Sequence, residues 1–164
     1  MRVTPDTVAA TREWVHERAG VVVPLVNEVR GDLGEAFGVE VGSVSAAAYH
    51  DAVDEVFADG DLAVNVAALL CVLRDLDVTD DYPGFVVDEL LARELAAMVA
   101  GNQPRRLLAE ATFHYADVHV RGDADAPAGA DDLDAALAAG FQTRLPGWPW
   151  TETASPFSVV DGRG

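Results

Sequence analysis

Four histidines are the residues best suited to chemistry in this 164-residue chain, and two of them stand at helical spacing from a glutamate. Glu13 and His16 are three positions apart, Glu110 and His114 four apart, which places each pair on one face of a helix. Two such faces turned toward each other would offer a metal two carboxylates and two imidazoles. Di-iron bundles, however, use a Glu-x-x-His on each of two helices and a further Glu from each of two more, and here only Glu13 and His16 have that spacing. Glu110 and His114 also share their face with Arg106, Asp117 and Arg121, the ordinary composition of an exposed ion-pair network. A metal-dependent helical-bundle enzyme built on these four residues is therefore an alternative reading, not the leading one.

The remaining candidates are weaker. His50 is followed by Asp51 and Asp54, a general base beside carboxylates, but no Gly-x-Ser-x-Gly or comparable nucleophile setting accompanies it. Neither Gly-x-Gly-x-x-Gly nor a Walker phosphate loop occurs. The chain contains no lysine, which excludes Schiff-base chemistry and a lysine grip on phosphate. The acidic stretches 75–81 and 123–134 lack the closing Glu of an EF-hand loop. Cys71, the only cysteine, sits in the most apolar part of the chain and is expected to pack as a small hydrophobe. No catalytic residue and no cofactor is predicted.

What surrounds these residues is acid. Asp and Glu number 28 against 11 basic residues, all arginine, for a net charge of −17. In dilute buffer such charges repel and oppose compaction, whereas at about 1 M salt the screening length falls to about 3 Å. The bias is similar to that of proteins from salt-accumulating haloarchaea and their viruses. It disfavours nucleic acid, whose affinity for proteins comes largely from basic side chains, and equally an anionic membrane surface. Half the residues are hydrophobic, mean hydropathy is +0.12, and no run approaches the roughly 20 apolar residues of a membrane span. No secretory signal is recognisable, so the sequence predicts a soluble chain starting near Met1, placed in the cytoplasm or a virion.

Helix punctuation recurs throughout. Thr4-Pro5-Asp6 opens one helix, to about Ala19, with Gly20 as its stop; Pro24 opens a second that carries Leu25, Val29, Leu33 and Phe37 at four-residue spacing and closes at Gly38. Residues 39–44 suggest a short extended piece. Ser43 or Ser45 caps a helix with Tyr49, Val53 and Phe57 on one side. Leu62, Val66, Leu69, Leu73 and Leu76 form a stripe on a helix apolar nearly all round, which marks it as central. A helix follows from about Phe85 to Ala100, and another from Pro104 to about Val120, in which Leu107, Leu108, Ala111 and Tyr115 are expected to face the core. The expected fold is mainly α: a bundle of about five or six helices over residues 1–120, an acidic linker over 121–140 with room for a short helix from about Asp132 to Ala139, and an extended arm over 141–164.

The arm differs from everything before it. Phe141, Trp148, Trp150 and Phe157 place 4 of the 12 aromatics there, among Pro146, Pro149 and Pro156 and without helical or alternating spacing. Such side chains offer apolar area but no core of their own, so they need a surface to dock on, either their own domain or a neighbouring subunit or partner. The leading expectation is a structural or assembly protein acting through protein contacts, with a homo-oligomer or a foreign protein as partner. One concrete version is a head-to-tail connector of a haloarchaeal tailed virus, since a small helical body with an extended C-terminal arm looks like the plan of such adaptors. A small cytosolic regulator or chaperone is the third alternative.

Overall fold

The computed structural model describes residues 2–75, 86–119 and 130–148. Among these residues the chain is all α, with seven helices and no strand: α1 (Pro5–Glu17), α2 (Ala19–Phe37), α3 (Ala46–Ala58), α4 (Gly60–Asp75), α5 (Val86–Ala100), α6 (Arg105–His119) and α7 (Ala130–Gln142). The helical bundle read from the sequence is the fold. No single helix among the described residues is long and apolar enough to cross a membrane.

Local signals account for most helix ends. The Thr4 hydroxyl accepts the Thr7 N–H (3.2 Å), Ser45 that of Ala48 (3.2 Å), and the Asp59 carboxylate that of Leu62 (3.2 Å), each satisfying a donor orphaned at a helix start. Asp59 thus caps α4, and the chain bends by 107° between α3 and α4. Gly38 closes α2 with φ 64°, a left-handed cap that suits glycine. The chain folds back there, so that Val39 N–H donates to Gly34 O at 2.9 Å. A Cβ on Gly34 would lie 2.7 Å from Val39 O, which explains the glycine.

The start of α2 departs from the expectation. Gly20 does not end α1; the chain breaks only at Arg18 and re-enters helix at Ala19, so Pro24 lies inside α2. It sits in the second turn, where the N–H it lacks would have reached Gly20 O. Val22, Leu25, Val26, Val29 and Leu33 are all buried, and that apolar face holds the turn together. Residues 39–44 form a loop and not a strand. Asn27 acts as its strand partner, its amide accepting Val44 N–H (2.8 Å) and donating to Val44 O (3.1 Å).

The central helix is α7, not α4. It packs against α2, α4, α5 and α6, and every residue from Leu133 to Phe141 is buried; the place of Gly140 is set by contact. A Cβ on Gly140 would come within 2.8 Å of Val99 Cβ and 3.0 Å of Ala96 O, so α5 and α7 meet backbone to backbone. Small residues (Ala135, Ala136, Ala138, Ala139, with Ala92, Ala96 and Ala100 opposite) permit that approach. A helix built of alanines has little hydrophobicity per residue, and its low signal hid its position. By contrast α4 buries Ala63, Val66, Ala67, Leu70 and Leu73 but leaves Val64 exposed.

Candidate functional site

Residues 142–148 belong to the folded body, held there by a buried arginine. Arg30 on α2 is 2% exposed, and its guanidinium donates from Nε to Gln142 Oε1 (2.6 Å), from Nη2 to Gln142 O (3.2 Å) and Leu145 O (3.1 Å), and from Nη1 to Gly42 O and Pro146 O (both 2.5 Å). All five contacts are to uncharged oxygens. They spread the charge over amide dipoles, one of them, Gln142 O, a carbonyl at the C-terminus of α7. Burial pushes the Arg30 pKa down to about 10. Gln142 also donates to Val26 O (3.1 Å), and Gly42 N–H to Gly147 O (3.2 Å). Gly147 has φ 105°, and a Cβ there would lie 2.8 Å from Arg30 Nη1.

This anchorage sets Trp148. Its indole N–H donates to Gln142 O (2.8 Å), the Arg30 guanidinium carbon lies 5.4 Å from its ring centre, and the side chain is buried. Trp148 thereby becomes one wall of a groove of about 440 Å³ lined by Leu33, Phe37 and Val39 from the α2 end, Leu108, Ala111, Thr112 and Tyr115 from α6, and Thr143. Among the described residues no charged side chain lines it. The volume falls in the range of sites that enclose a ligand or a large side chain.

The groove is open because α6 is turned from the expected orientation. Its buried face is Ala109, Thr112, Phe113 and Ala116, which meets α7. Leu107, Leu108, Ala111 and Tyr115, expected to face the core, instead look outward: Leu107 is 61% exposed, Tyr115 40% and Val118 62%, and across the groove Phe37 is 70% exposed. α6 is thus apolar on two faces, and only one is covered among the described residues. A contiguous apolar patch of this kind on a chain so rich in acid is a mark of an interaction surface. Beneath it, Thr143 is 3% exposed and its buried hydroxyl has no hydrogen-bond partner among the described residues, a cost of about 1–3 kcal/mol for a group left in that state.

The sequence-predicted site residues fall in different places. Phe141 is buried against Tyr49, ring centres 5.3 Å apart, and Trp148 is the groove wall, so these two join the body instead of starting a free arm. Trp150 and Phe157, and the linker residues 121–129, lie outside the described residues. Glu13, Glu110 and His114 are exposed, and among the described residues no three His, Cys, Asp or Glu side chains are placed to share a metal ion; the two helical pairs are not brought together. His16 instead meets Asp54, Nε2 to Oδ1 2.8 Å, where Arg12 also donates from Nε (3.0 Å) and Nη2 (2.8 Å). The hydrogen bond from Arg12, then that from His16, lowers the Asp54 pKa below its usual value. Asp54 therefore does not orient His50, whose ring stands edge-on to His16 at 4.7 Å. On the other side Arg18 clasps Asp134 of α7 (Nη2 to Oδ2 2.7 Å, to Oδ1 2.8 Å), and burial, opposed by that pairing, raises the Asp134 pKa.

Arg30 and Thr143 were not singled out by sequence reasoning, and only their place after the fact reveals them: one is an arginine in an otherwise apolar helix face, the other a hydroxyl two residues past a buried phenylalanine. No curated protein and no solved structure matches the chain. One family model does, over residues 1–161, and the chain belongs to that family, described as a domain of unknown function (DUF7984).

Proposed function

We propose that this protein is an assembly or contact module that works by seating an apolar, aromatic-bearing chain segment in the groove between α2 and α6. The observation that carries it is the outward apolar face of α6 opposite Phe37. Leu107, Tyr115, Val118 and Phe37 are each at least 40% exposed, and exposing that much apolar surface to water costs free energy that only a partner recovers. The uncharged lining selects against acidic segments, which is most of this chain's own surface, and so favours an aromatic ligand of low charge. Net charge −17 supports a setting of concentrated salt, where like-charged proteins can approach. Nothing in the groove singles out a virus head-to-tail connector among contact modules.

A synthetic peptide with the sequence of residues 149–160 serves as probe, because it carries two aromatics and a single charge, Glu152. Added to the full chain in concentrated KCl, it should shift the methyl NMR signals of Leu33 and Leu108 saturably, and Ala111→Glu should abolish the shift while leaving the rest of the spectrum unchanged. Ala111 is exposed, so the change charges the groove without disturbing the core. Absence of any shift at millimolar peptide, or an equal shift in the Ala111→Glu chain, would refute the reading.

A further inference from the structure

We infer that the partner seated here is a second copy of this chain, brought up across a two-fold axis so that the outward faces of the two α6 helices meet antiparallel. This rests on the groove and its α6 wall being a docking surface, and it names what docks.

Charge selects the helix. Counting Asp and Glu against Arg, each of the other six helices is net negative, from −1 on α4 to −3 on α3 and α7, whereas α6 sets Arg105 and Arg106 against Glu110 and Asp117 and carries none. On a chain of net charge −17, any other helix brought against its own copy would add like charge to like. α6 would not. The same helix holds the exposed side chains of Leu107, Tyr115 and Val118, with Phe37 and Val39 exposed across the groove. The neutral strip and the exposed apolar strip therefore coincide, as self-association of an acidic protein requires. A basic partner would find its complement on the other helices and not here.

The order of residues along α6 supplies the register. A helix turns by about 100° per residue, so Leu107, Ala111, Tyr115 and Val118 fall within about 40° of one line, and Arg106, Glu110, His114 and Asp117 follow one flank of it. In an antiparallel pair each flank meets its own copy, and residues equidistant from the axis stand level. With the axis between Ala111 and Thr112, Arg106 of one copy is level with Asp117 of the other. Glu110 then comes within one residue, about 1.5 Å, of the level of His114, and Leu107 as close to that of Tyr115. Each pairing occurs twice, and no carboxylate is set against a carboxylate. Ala111 beside the axis permits the usual separation of about 8–10 Å between packed helices. Arg106 already holds Glu94 of α5 at 3.1 Å in an exposed pair, and its fork has donors to spare for Asp117. In concentrated salt the repulsion between the two acidic bodies is cut to a range of about 3 Å.

The test uses the full chain in concentrated KCl. Light scattering over a dilution series should give twice the chain mass of 17.3 kDa, falling to the single mass at the dilute end. Leu107 is 61% exposed and does not line the groove, so Leu107→Glu should leave the helix content unchanged while raising the dimer dissociation constant at least about tenfold. Register is read by mild oxidation in a Cys71→Ser background. Leu107→Cys chains mixed with Tyr115→Cys chains should join by a disulfide, and neither alone should, because each cysteine then lies about 10–13 Å along the helix from its own mate, beyond a disulfide's reach. The inference is overturned if the chain stays monomeric at about 1 mM, if Leu107→Glu dimerises as wild type does, or if either cysteine chain alone links as fast as the mixture. The 149–160 peptide, added at the dilute end, separates the two readings. If no dimer forms and the peptide still shifts Leu33 and Leu108, the groove remains a docking site for another protein and only the second copy falls. If no dimer forms and no shift is seen, both fall.

Discussion

Replacing Arg30 by methionine keeps a long, unbranched side chain in the same space and removes the five guanidinium hydrogen bonds, four of which hold residues 142–146. Gln142 Oε1 and Leu145 O lose their partners inside the core, Gly42 O and Pro146 O lose theirs nearer the surface, and Gln142 O keeps the Trp148 indole. Two fully buried acceptors at about 1–3 kcal/mol each give about 2–6 kcal/mol, while the two outer carbonyls can turn to water. Against this stands the relief of burying a cation, visible in a pKa pushed down to about 10. The net therefore falls below that sum, to about 1–3 kcal/mol, a sizeable part of the 5–15 kcal/mol typical of a folded domain. For a chain of this size that is a fall in Tm of about 5 °C. Thermal unfolding followed by circular dichroism in concentrated KCl measures it, and hydrogen exchange shows where: amides of Arg144 and Leu145 and the Trp148 indole should lose protection before those of α4. Arg30→Lys should recover little, because an ammonium has three donors and no fork. A Tm within about 2 °C of wild type for Arg30→Met would refute the idea that this network holds the C-terminal wall of the groove.

Gly140→Ala places a methyl 2.8 Å from Val99 Cβ and 3.0 Å from Ala96 O, forcing α5 and α7 apart at a cost of about 1–3 kcal/mol, despite alanine being the better helix former; a urea titration reads the sign. Asp54 has a folded pKa below its ordinary value of 3.8, so its contribution is fully present above pH 4 and is lost as pH falls through the folded value. Asp54→Asn should therefore lower stability at neutral pH, only slightly because the carboxylate is exposed, and the difference from wild type should vanish as pH falls well below about 4. With 17 net negative charges, the wild-type Tm should rise steadily from dilute buffer to concentrated KCl as like charges are screened, and a Tm independent of salt would remove the case for a high-salt setting.

The local grammar of this chain was readable. Thr4, Ser45 and Gly38 mark helix ends as their chemistry demands, and most of the stripes of α2, α3 and α4 point inward: Leu25, Val29 and Leu33, Tyr49 and Val53, Val66 and Leu73 are buried, while Phe37 is exposed. What the sequence left hidden depends on contacts between distant residues. Nothing near Arg30 shows that four of its five hydrogen bonds reach residues 112 to 116 positions away, and without them residues 142–148 read as a free arm. α7 reads as an afterthought to an acidic linker because alanine contributes little hydrophobicity, yet small size is what lets it pass through the centre. On α6 two apolar faces compete, and periodicity alone cannot choose between Leu108, Tyr115 and Phe113. The choice is made by α7, and the face it leaves uncovered is the candidate site. The metal candidates failed to converge for a simpler reason: acids stand beside histidines often in so acidic a chain, and Asp54 took His16 and Arg12 as ion partners.

The most direct measurement is a crystal structure of the full chain grown from concentrated KCl, read at one place, the groove bounded by Leu33, Phe37, Leu108, Tyr115 and Trp148. The account predicts, in crystals soaked with the peptide of residues 149–160, an aromatic side chain of low-charge sequence lying in it. A groove filled by water and touching no protein in the presence of that peptide would contradict it.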